Sequence, residues 1–360
     1  MTFRVSCLLF ALCACSPGQG TYTVGAAGAW TLPQGRSTRL GIELAVREIN
    51  AAGGIDGHPL AARFLDDAAD AGKAVRAAQA FVDDAAISAV VGDVTSNAIA
   101  SAQKVYDGHM AAVTTSARSL DPTGTSRWAF RLVSSDSANG ADLANFASRS
   151  GYRRAAVLYE NDDDGRGLAD AFRRSFGGEI VSFDPVPAEV KRAEVYISYF
   201  KLTRPDIVFV AGFEASGVAI LTEARRQGLK ADFMGGEGWA PLAAHADVAE
   251  GAYVGARFAP TDPRPAAQKF VAAFKAANAG AVPDGNAALG YDATRLVAAA
   301  LDEVGPDRAK IRGWLASLDK AFDGATGPIR FQKSGEPLGT SVTMTRIGRD
   351  GTLALAGGSR

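Results

Sequence analysis

Cysteine is nearly absent from this chain of 360 residues, and the few cysteines all lie at one end. Cys7, Cys13 and Cys15 fall within the first fifteen residues, and none follows them. The rest of the chain therefore has no thiol that could form an internal disulfide, act as a nucleophile or ligate a metal ion. These three uses of cysteine are excluded for everything after Cys15.

Histidine and net charge are also scarce. His58, His109 and His245 are scattered without metal-ligand spacing, and the formal net charge is -1. A near-neutral chain lacks the basic surface of a nucleic-acid-binding protein. There is no Gly-x-Ser-x-Gly elbow and no phosphate-binding Walker loop. The sequence thus predicts no catalytic residues, no metal, no cofactor and no nucleic-acid partner. A pair of catalytic carboxylates remains the enzymatic alternative, because many acidic residues follow predicted strands.

No hydrophobic stretch reaches the roughly twenty residues that a membrane-spanning helix needs. The apolar run Val5–Leu12 follows Arg4 and is short enough for a signal peptide. Leu12 lies three residues before Cys15, and this spacing resembles the lipobox of bacterial lipoproteins. We therefore expect a signal peptide over 1–14, lipid attachment at Cys15 and a linker over 15–20. Such a protein would be periplasmic or otherwise extracytoplasmic and would touch the membrane only through its lipid. The alternative is an ordinary cleaved signal peptide with incidental cysteines.

Glycine is plentiful, with 40 residues, and it punctuates an alternating pattern. A β-prone run at 21–26 leads into the loop 25–35, which carries Trp30. A helical pattern follows and stops at Gly53-Gly54, residues that accept left-handed backbone at low cost. A second apolar run at 60–65 closes the unit. Comparable short apolar runs alternate with helical patterns along the rest of the chain, which predicts an α/β fold with parallel sheets covered by helices. In such folds, ligands bind beyond the carboxyl ends of the strands.

Several short motifs, in a fixed order along the chain, resemble those of one known family. They are Glu48–Gly57, Val90–Ser96, Thr114–Ala117, Phe130-Arg131, Gly235–Gly238, Gly290–Ala293 and Thr326–Phe331. Each motif alone is weak, but their joint order over nearly the whole chain is specific. The chain is similar to the type I periplasmic binding proteins, in the leucine/isoleucine/valine-binding branch that serves ABC transporters.

This resemblance implies two Rossmann-like lobes with parallel sheets, joined by a hinge of three crossings, with the ligand in the cleft between them. We expect the amino-terminal lobe to comprise 21–134 and 262–326, and the carboxy-terminal lobe 135–261 and 327–360. The implied function is that of a monomeric solute-binding lipoprotein of an ABC import system. It would bind an amino acid or a related small carboxylate and deliver it to the permease and ATPase subunits. A ligand-sensing regulatory protein of the same fold is the alternative.

Four residues are expected to hold the head group of the ligand. Ser96 opens a predicted helix, where it can cap the helix or face a carboxylate, and the resemblance favours the carboxylate. The resemblance also places Ser116 and Ala117 against the head group. Glu237 is flanked by glycines, which permit close approach of the backbone. The resemblance makes it the counter-charge of a ligand ammonium, and a surface-loop glutamate is the alternative.

Two positions depart from the family pattern. Arg118 stands where a threonine is common, and it either binds a ligand carboxylate in the cleft or points to solvent while Ser119 takes over. Asp164 stands where many relatives place an aromatic residue, so it would make that wall of the cleft polar. Both departures predict a site more polar than one built for leucine alone.

Three aromatic residues complete the predicted site. Trp30 is either a cleft wall with a large apolar area or a packed core residue. Phe213 faces the cleft from the second lobe by analogy with the family. Tyr291 is a further candidate for contact with the ligand, and packing at the lobe interface is its alternative.

Overall fold

Two separate sheets contain nearly all the strands of this protein. The computed structural model describes residues 20–92, 95–115, 126–339 and 342–357, except for the side chains of Asp163 and Asp164. Within these ranges the strands form a five-stranded sheet, a seven-stranded sheet and a short two-stranded ladder. The predicted α/β fold with two lobes is confirmed.

The first sheet is built by the amino-terminal part of the chain and is parallel throughout, in the order β2-β1-β3-β4-β5. Its elements are β1 (Tyr22–Gly28), α1 (Pro33–Ala51), β2 (Leu60–Asp66), α2 (Ala71–Val82), β3 (Ile87–Gly92), α3 (Ser96–Tyr106), β4 (Ala112–Thr114) and β5 (Ala129–Arg131). Strand β1 extends to Gly28, two residues beyond the predicted run at 21–26, so Gly25 and Gly28 belong to the strand and not to the loop that follows. Gly25 packs against the ring of Phe81, and a Cβ there would come within 3.0 Å of that ring.

The chain then builds the second sheet. Its elements are α4 (Asp136–Arg149), β6 (Arg154–Glu160), α5 (Asp163–Ser175), β7 (Glu179–Val186), α6 (Ala193–Thr203), β8 (Ile207–Ala211), α7 (Glu214–Gln227), β9 (Asp232–Gly235), a 3-10 helix (Glu237–His245), α8 (Ala246–Ala249) and β10 (Tyr253–Ala256). The buried central strand β8 reads Ile-Val-Phe-Val-Ala, a continuous apolar run typical of a parallel strand covered on both faces.

The chain returns to the first sheet and then crosses once more. The returning elements are α9 (Pro265–Ala277), α10 (Gly285–Val304), α11 (Arg308–Ala316), β11 (Phe322–Asp323) and β12 (Pro328–Ile329), and the last crossing leads to β13 (Thr343–Ile347) and β14 (Leu353–Leu355). Leu289 and Leu296 of α10 share a core cluster with Val24 of β1. Strands β13 and β14 pair antiparallel beside β10, so the second sheet is mixed at one edge.

Three connections join the sheets, and we call them the hinge: 132–135 after β5, 257–264 after β10, and 330–342 between β12 and β13. The strand just before the third connection is short and comprises only Pro328–Ile329. It pairs with β11 alone in the short ladder. The exact residue boundaries of the two lobes stay a prediction.

Helices α1 and α10 approach each other closely because glycines lie at their contact. A Cβ on Gly41 would lie 1.9 Å from the carbonyl oxygen of Ala287, and one on Gly290 would lie 2.3 Å from that of Thr38. Both clashes are with backbone, which cannot rotate away. The packing of α10 onto the first lobe therefore depends on these two glycines.

Replacing Gly41 with alanine should destabilise the protein by about 1–3 kcal/mol through overpacking, despite the better helix propensity of alanine. Chemical denaturation of the two proteins measures the difference. Gly313→Ala in α11 is the matched control, since its Cβ meets no atom within 4 Å. That control should gain up to about 1 kcal/mol. Equal stabilities of the Gly41→Ala protein and the parent would show that the helices are not in this contact.

Candidate functional site

The carboxyl ends of the strands in the first sheet are covered by Trp30. Its indole ring lies over the ends of β1 and β3, since a Cβ on Gly28 would be 2.8 Å and one on Gly92 3.4 Å from the ring. The indole nitrogen donates to the Leu65 carbonyl at 2.9 Å, and the ring packs edge-on against Phe64. Trp30 is only 7% exposed. Trp30 is therefore a packed residue, which was one of its two predicted roles. A contact between its small exposed edge and a ligand stays a prediction.

Ser96 lies at the start of α3, as predicted, but it does not cap the helix. The N-cap position is Thr95, and its side chain makes no capping hydrogen bond. Ser96 is the first helical residue and is partly exposed. Thr95 was not singled out from the sequence. Its hydroxyl oxygen is buried and has no hydrogen-bond partner in the part of the chain that the structure describes. Helix α3 thus begins with two hydroxyl groups beside strand β3.

Three predicted contacts, Ser116, Ala117 and Arg118, lie outside the described residues, and so does Cys15. The residue that precedes them, Thr115, is buried at the end of β4. Its backbone N–H and its hydroxyl both donate to the Gly92 carbonyl, at 2.9 and 3.1 Å. This fixes the end of β4 against the end of β3, next to the start of α3.

Glu237 lies at the carboxyl end of β9 in the second sheet, as the first residue of the 3-10 helix. Its side chain is partly buried, and Oε2 accepts a hydrogen bond from the backbone N–H of Arg257 at 2.7 Å. A Cβ on Gly285, at the start of α10, would lie 3.3 Å from Oε1. The carboxylate of Glu237 thus lies between the end of the second sheet and a helix that packs on the first.

Arg257 is a second functional candidate, after Thr95, that was not predicted from the sequence. It is the first hinge residue after β10, and its guanidinium donates to the Asn286 side chain at 3.2 Å and the Thr115 carbonyl at 3.4 Å. Both acceptors belong to elements of the first lobe, whereas its backbone holds Glu237 of the second. A small cavity of about 20 Å³, close to the size of one water, lies beside Glu237 and Arg257. A cation directly after a strand was the only sequence signal.

Phe213 has an exposed ring at the carboxyl end of β8, where 45% of the residue is accessible. A Cβ on Gly238 would touch this ring at 3.0 Å, so Phe213 lies close to Glu237. Glu160, at the end of β6, holds the segment in place. Its Oε1 accepts from the Phe213 backbone N–H at 2.8 Å and from the Ser216 hydroxyl at 2.7 Å. The structure therefore brings Phe213 and Glu237 together.

Asp164 lies in the first turn of α5, which begins at Asp163. The helix is capped by Asp162, whose side chain accepts from the Gly165 backbone N–H at 2.7 Å. The side chain of Asp164 is outside the described part of the structure. Its role as a polar wall stays a prediction, at a position beyond the end of β6.

Tyr291 is buried in a cluster with Leu44 of α1 and Phe270 of α9. Its hydroxyl donates to Glu48 at 2.5 Å, and burial together with this hydrogen bond raises the pKa of Tyr291. Tyr291 thus faces the α1–α9 side of helix α10, where it is packed, and a contact with the ligand stays a prediction.

The neighbouring Asp292 holds the turn between β11 and β12, and the hinge residue Arg264 binds the same turn. It is fully buried, and its carboxylate accepts from the backbone N–H groups of Ala325 and Thr326, at 2.7 and 2.8 Å, and from the Thr326 hydroxyl at 2.7 Å. Arg264, at the end of the second connection, donates to the Gly324 and Ala325 carbonyls at 3.0 and 2.8 Å. Burial raises the pKa of Asp292 to about 6, against the hydrogen bonds and the charge of Arg264.

Among the described residues, no group of histidine, cysteine, aspartate and glutamate side chains could hold a metal ion. No helix in the same ranges has the length and apolar character to cross a membrane. The features that converge at the strand ends are thus carboxylates, hydroxyls, an arginine and aromatic rings. This set suits a small zwitterionic or anionic ligand bound by hydrogen bonds and charge.

Proteins similar to this chain include several that bind amino acids. The chain matches the periplasmic binding protein family over residues 23–352. It is 29% identical to a leucine-, isoleucine-, valine-, threonine- and alanine-binding protein of Pseudomonas aeruginosa, over 92% of this chain and 91% of the relative. An ABC transporter substrate-binding protein of Desulfitobacterium hafniense, solved in complex with Leu, superimposes with a TM-score of 0.82 at 30% identity, covering 94% of this chain and all of the other.

A second solved relative is the branched-chain amino acid transporter substrate-binding protein LivJ of Streptococcus pneumoniae, in complex with isoleucine. It has a TM-score of 0.79 and 27% identity, with 92% of this chain and 97% of the other covered. These relatives are binding proteins and not enzymes, and the family implies a periplasmic or otherwise extracytoplasmic location. The family match spans nearly the whole chain, and the protein therefore belongs to the periplasmic binding proteins, in the group that contains the substrate-binding proteins of branched-chain amino acid ABC importers.

Proposed function

We propose that this protein binds a small α-amino acid between its two lobes and delivers it to an ABC permease. The observation that carries the proposal is the position of Glu237, a partly buried carboxylate at a strand end of one lobe, facing the start of α10 on the other. A buried carboxylate is a favourable partner for a ligand ammonium, because charged hydrogen bonds are the strong ones. The relatives that bind leucine or isoleucine support the same ligand class.

The ligand carboxylate has its own candidate partners in the first lobe. Ser96 and Thr95 lie at the amino-terminal end of α3, where free N–H groups and the helix dipole favour an anion. Ser116 and Ala117 would add to this group. An amino acid held by Glu237 on one side and α3 on the other contacts both lobes, so it favours the closed arrangement over the open one.

The selectivity is expected to extend to small or polar amino acids. Arg257 is placed beside Glu237 and Thr115, and Arg118 and Asp164 would add further polar groups near the head group. Phe213 supplies an apolar surface that is exposed beside Glu237. We infer a site with a strongly polar head-group region and a limited apolar region.

Attachment to the membrane through a lipid on Cys15 and a monomeric state belong to the same proposal. The lipid attachment is inferred from the lipobox-like spacing at the start of the chain. The monomeric state is inferred because the proposed closure involves the two lobes of a single chain. The lobe boundaries at 134/135 and 261/262 are also proposed, and the third, expected at 326/327, is proposed a few residues later because Ile329 packs in the core of the first lobe. Mass spectrometry of the protein extracted from membranes tests the lipid directly, since acyl chains add a fixed mass at the amino terminus.

Titration with leucine, alanine and threonine tests the ligand class. A ligand present at a hundred times its dissociation constant raises the free energy of unfolding by about 2.7 kcal/mol, so the melting temperature should rise with concentration. D-Leucine is the matched control, because it has the same groups in the wrong arrangement. If no α-amino acid shifts the melting temperature, the proposed function is wrong.

A ligand-sensing role without transport is the second candidate. Both functions share the cleft and the closure, and they differ in the partner that recognises the closed protein. Uptake of labelled leucine by cells that lack this chain separates them. Normal uptake combined with intact leucine binding would favour the sensor.

A further inference from the structure

A cavity of about 320 Å³ lies among the three connections of the hinge. Its lining includes Leu132 from the first connection, Arg264 at the end of the second and Leu338 from the third. This volume is at the lower end of the range for ligand pockets, and it accommodates a molecule of amino-acid size. No predicted ligand residue with a described side chain lines it. The cavity shares Arg257 with the surroundings of Glu237, but Glu237 itself does not line it.

The charged lining of this hinge cavity is mostly positive. Arg131, Arg257, Arg264 and Arg330 line it, together with one acid, Asp262. The acid is already engaged, since it forms an ion pair with Arg264 at 2.7 Å. A second acid outside the lining, Glu336, forms an ion pair with Arg131. The excess of arginine favours an anion, because a guanidinium offers two parallel donors to a carboxylate.

Arg330 is the cation most open to a ligand. It is exposed, and its side chain makes no hydrogen bond or ion pair within the described ranges. Its side chain can therefore turn towards an anion without breaking an existing contact. The other three arginines already form hydrogen bonds or ion pairs within the protein, so their guanidinium groups would bind an anion from fixed positions.

The rest of the lining is apolar. Val133, Leu289 and Ile329 are buried side chains in the wall, and Leu338 forms an edge with 51% of its surface exposed. Covering this exposed leucine and the adjoining apolar wall with a hydrocarbon group would be favourable, because it removes apolar surface from water. A purely inorganic anion would leave this wall in contact with water. The cavity thus combines a cationic side and an apolar side.

We propose that the hinge cavity is a second ligand site, which takes a small amphipathic carboxylate. The carboxylate would lie towards Arg330 and its arginine neighbours, and the hydrocarbon part would lie on Leu289, Ile329 and Leu338. This site goes beyond the amino-acid function proposed for the cleft.

The site is placed to influence the cleft. Its walls are the connections about which the lobes must move, so a bound molecule changes the free energy of opening. Arg257 lines the cavity with its side chain, while its backbone N–H donates to the Glu237 carboxylate. Coupling between two sites is reciprocal, so each ligand must change the affinity of the other by the same factor.

Hexanoate is the probe for the site, and hexanamide is its uncharged control. Isothermal titration of the full chain with hexanoate should give saturable binding at one site, in the absence and in the presence of leucine. Hexanamide should bind about tenfold or more weakly, because it lacks the charge that the arginines recognise. Absence of saturable hexanoate binding, or equal binding of both compounds, overturns the proposal.

Variants locate the binding. Arg330→Gln should weaken hexanoate about tenfold or more, while Arg349→Gln, at an exposed arginine far from the cavity lining, should leave it unchanged. Leu338→Ser should also weaken hexanoate, and both variants should keep the parent melting temperature. Equal effects of the Arg330 and Arg349 substitutions overturn the assignment.

Glu237→Gln separates the two sites. Loss of leucine binding with unchanged hexanoate binding supports two sites, and loss of hexanoate binding as well would assign hexanoate to the cleft and overturn the proposal. If the parent binds hexanoate but no amino acid, the hinge site stands and the function proposed for the cleft fails. A leucine affinity that is the same with and without saturating hexanoate contradicts the coupling.

Discussion

Glu237→Gln is expected to weaken leucine binding by about 1.5–3 kcal/mol, which is tenfold or more in the dissociation constant. Glutamine keeps an oxygen that can accept the hydrogen bond from the Arg257 backbone, so the loop should stay in place. What it loses is the negative charge that the ligand ammonium would meet. Isothermal titration with leucine measures the change, and circular dichroism confirms that the protein remains folded.

The matched control is Glu250→Gln, which removes an exposed carboxylate of the same lobe that has only a long ion pair with Arg349, at 3.6 Å. It should leave the leucine affinity unchanged. Glu237→Ala should be at least as damaging as Glu237→Gln, because it also leaves the Arg257 N–H without its acceptor. Parent-like affinity of Glu237→Gln would mean that the ligand ammonium is held elsewhere.

Asp292→Ala is expected to lower the free energy of unfolding by about 3–5 kcal/mol. The substitution leaves the backbone N–H groups of Ala325 and Thr326 buried without the acceptor they now share. It also opens a void next to Gly324, whose Cβ position is 2.7 Å from the Asp292 carboxylate. Denaturant titration measures the loss. Asp302→Ala, at an exposed position of the same helix, should cost little, and equal losses would contradict the role given to Asp292.

The pH dependence of stability offers a second test of Asp292. Burial raises its pKa from 3.8 to about 6, so the folded protein keeps a proton that the unfolded chain has already released. Stability due to this group is complete below pH 3.8 and is lost as the pH rises towards 6. Relative to Asp292→Asn, the parent should lose up to about 1.4 kcal/mol per pH unit in this window. A constant difference between the two proteins from pH 4 to pH 6 would contradict the raised pKa.

The order of elements was readable from the sequence because each element leaves a local pattern. The apolar run at Ile207–Ala211 and the glycine stop after α1 both depend on residues a few positions apart. Strand β7 is harder to recognise, because it is only partly buried at the edge of its sheet and its apolar pattern is weak. The antiparallel pairing of β13 with β10 joins residues about ninety positions apart, and no local pattern encodes it.

The predicted site was partly readable for the same reason. Glu237, Ser96 and Phe213 follow strands directly, and the carboxyl ends of parallel strands lie at the same edge of a sheet. Trp30 and Tyr291 show the limit of this reasoning. The ring of Trp30 packs over strand ends, and Tyr291, although it lies in a family motif, turns to the α1–α9 side of its helix. The direction of a side chain depends on neighbours that are distant in sequence.

The sequence by itself determined the fold class, the family and the strand ends at which a site would form. These follow from periodicity, glycine positions and motif order, which are local properties of the chain. The tertiary structure alone decided that Arg257 links Glu237 to Thr115 and Asn286. It also decided that Asp292 holds the turn between β11 and β12, and that arginines gather around a cavity in the hinge. The physical reason is that these contacts join residues from separate crossings of the chain, and only the packing of the two lobes brings them within hydrogen-bonding distance.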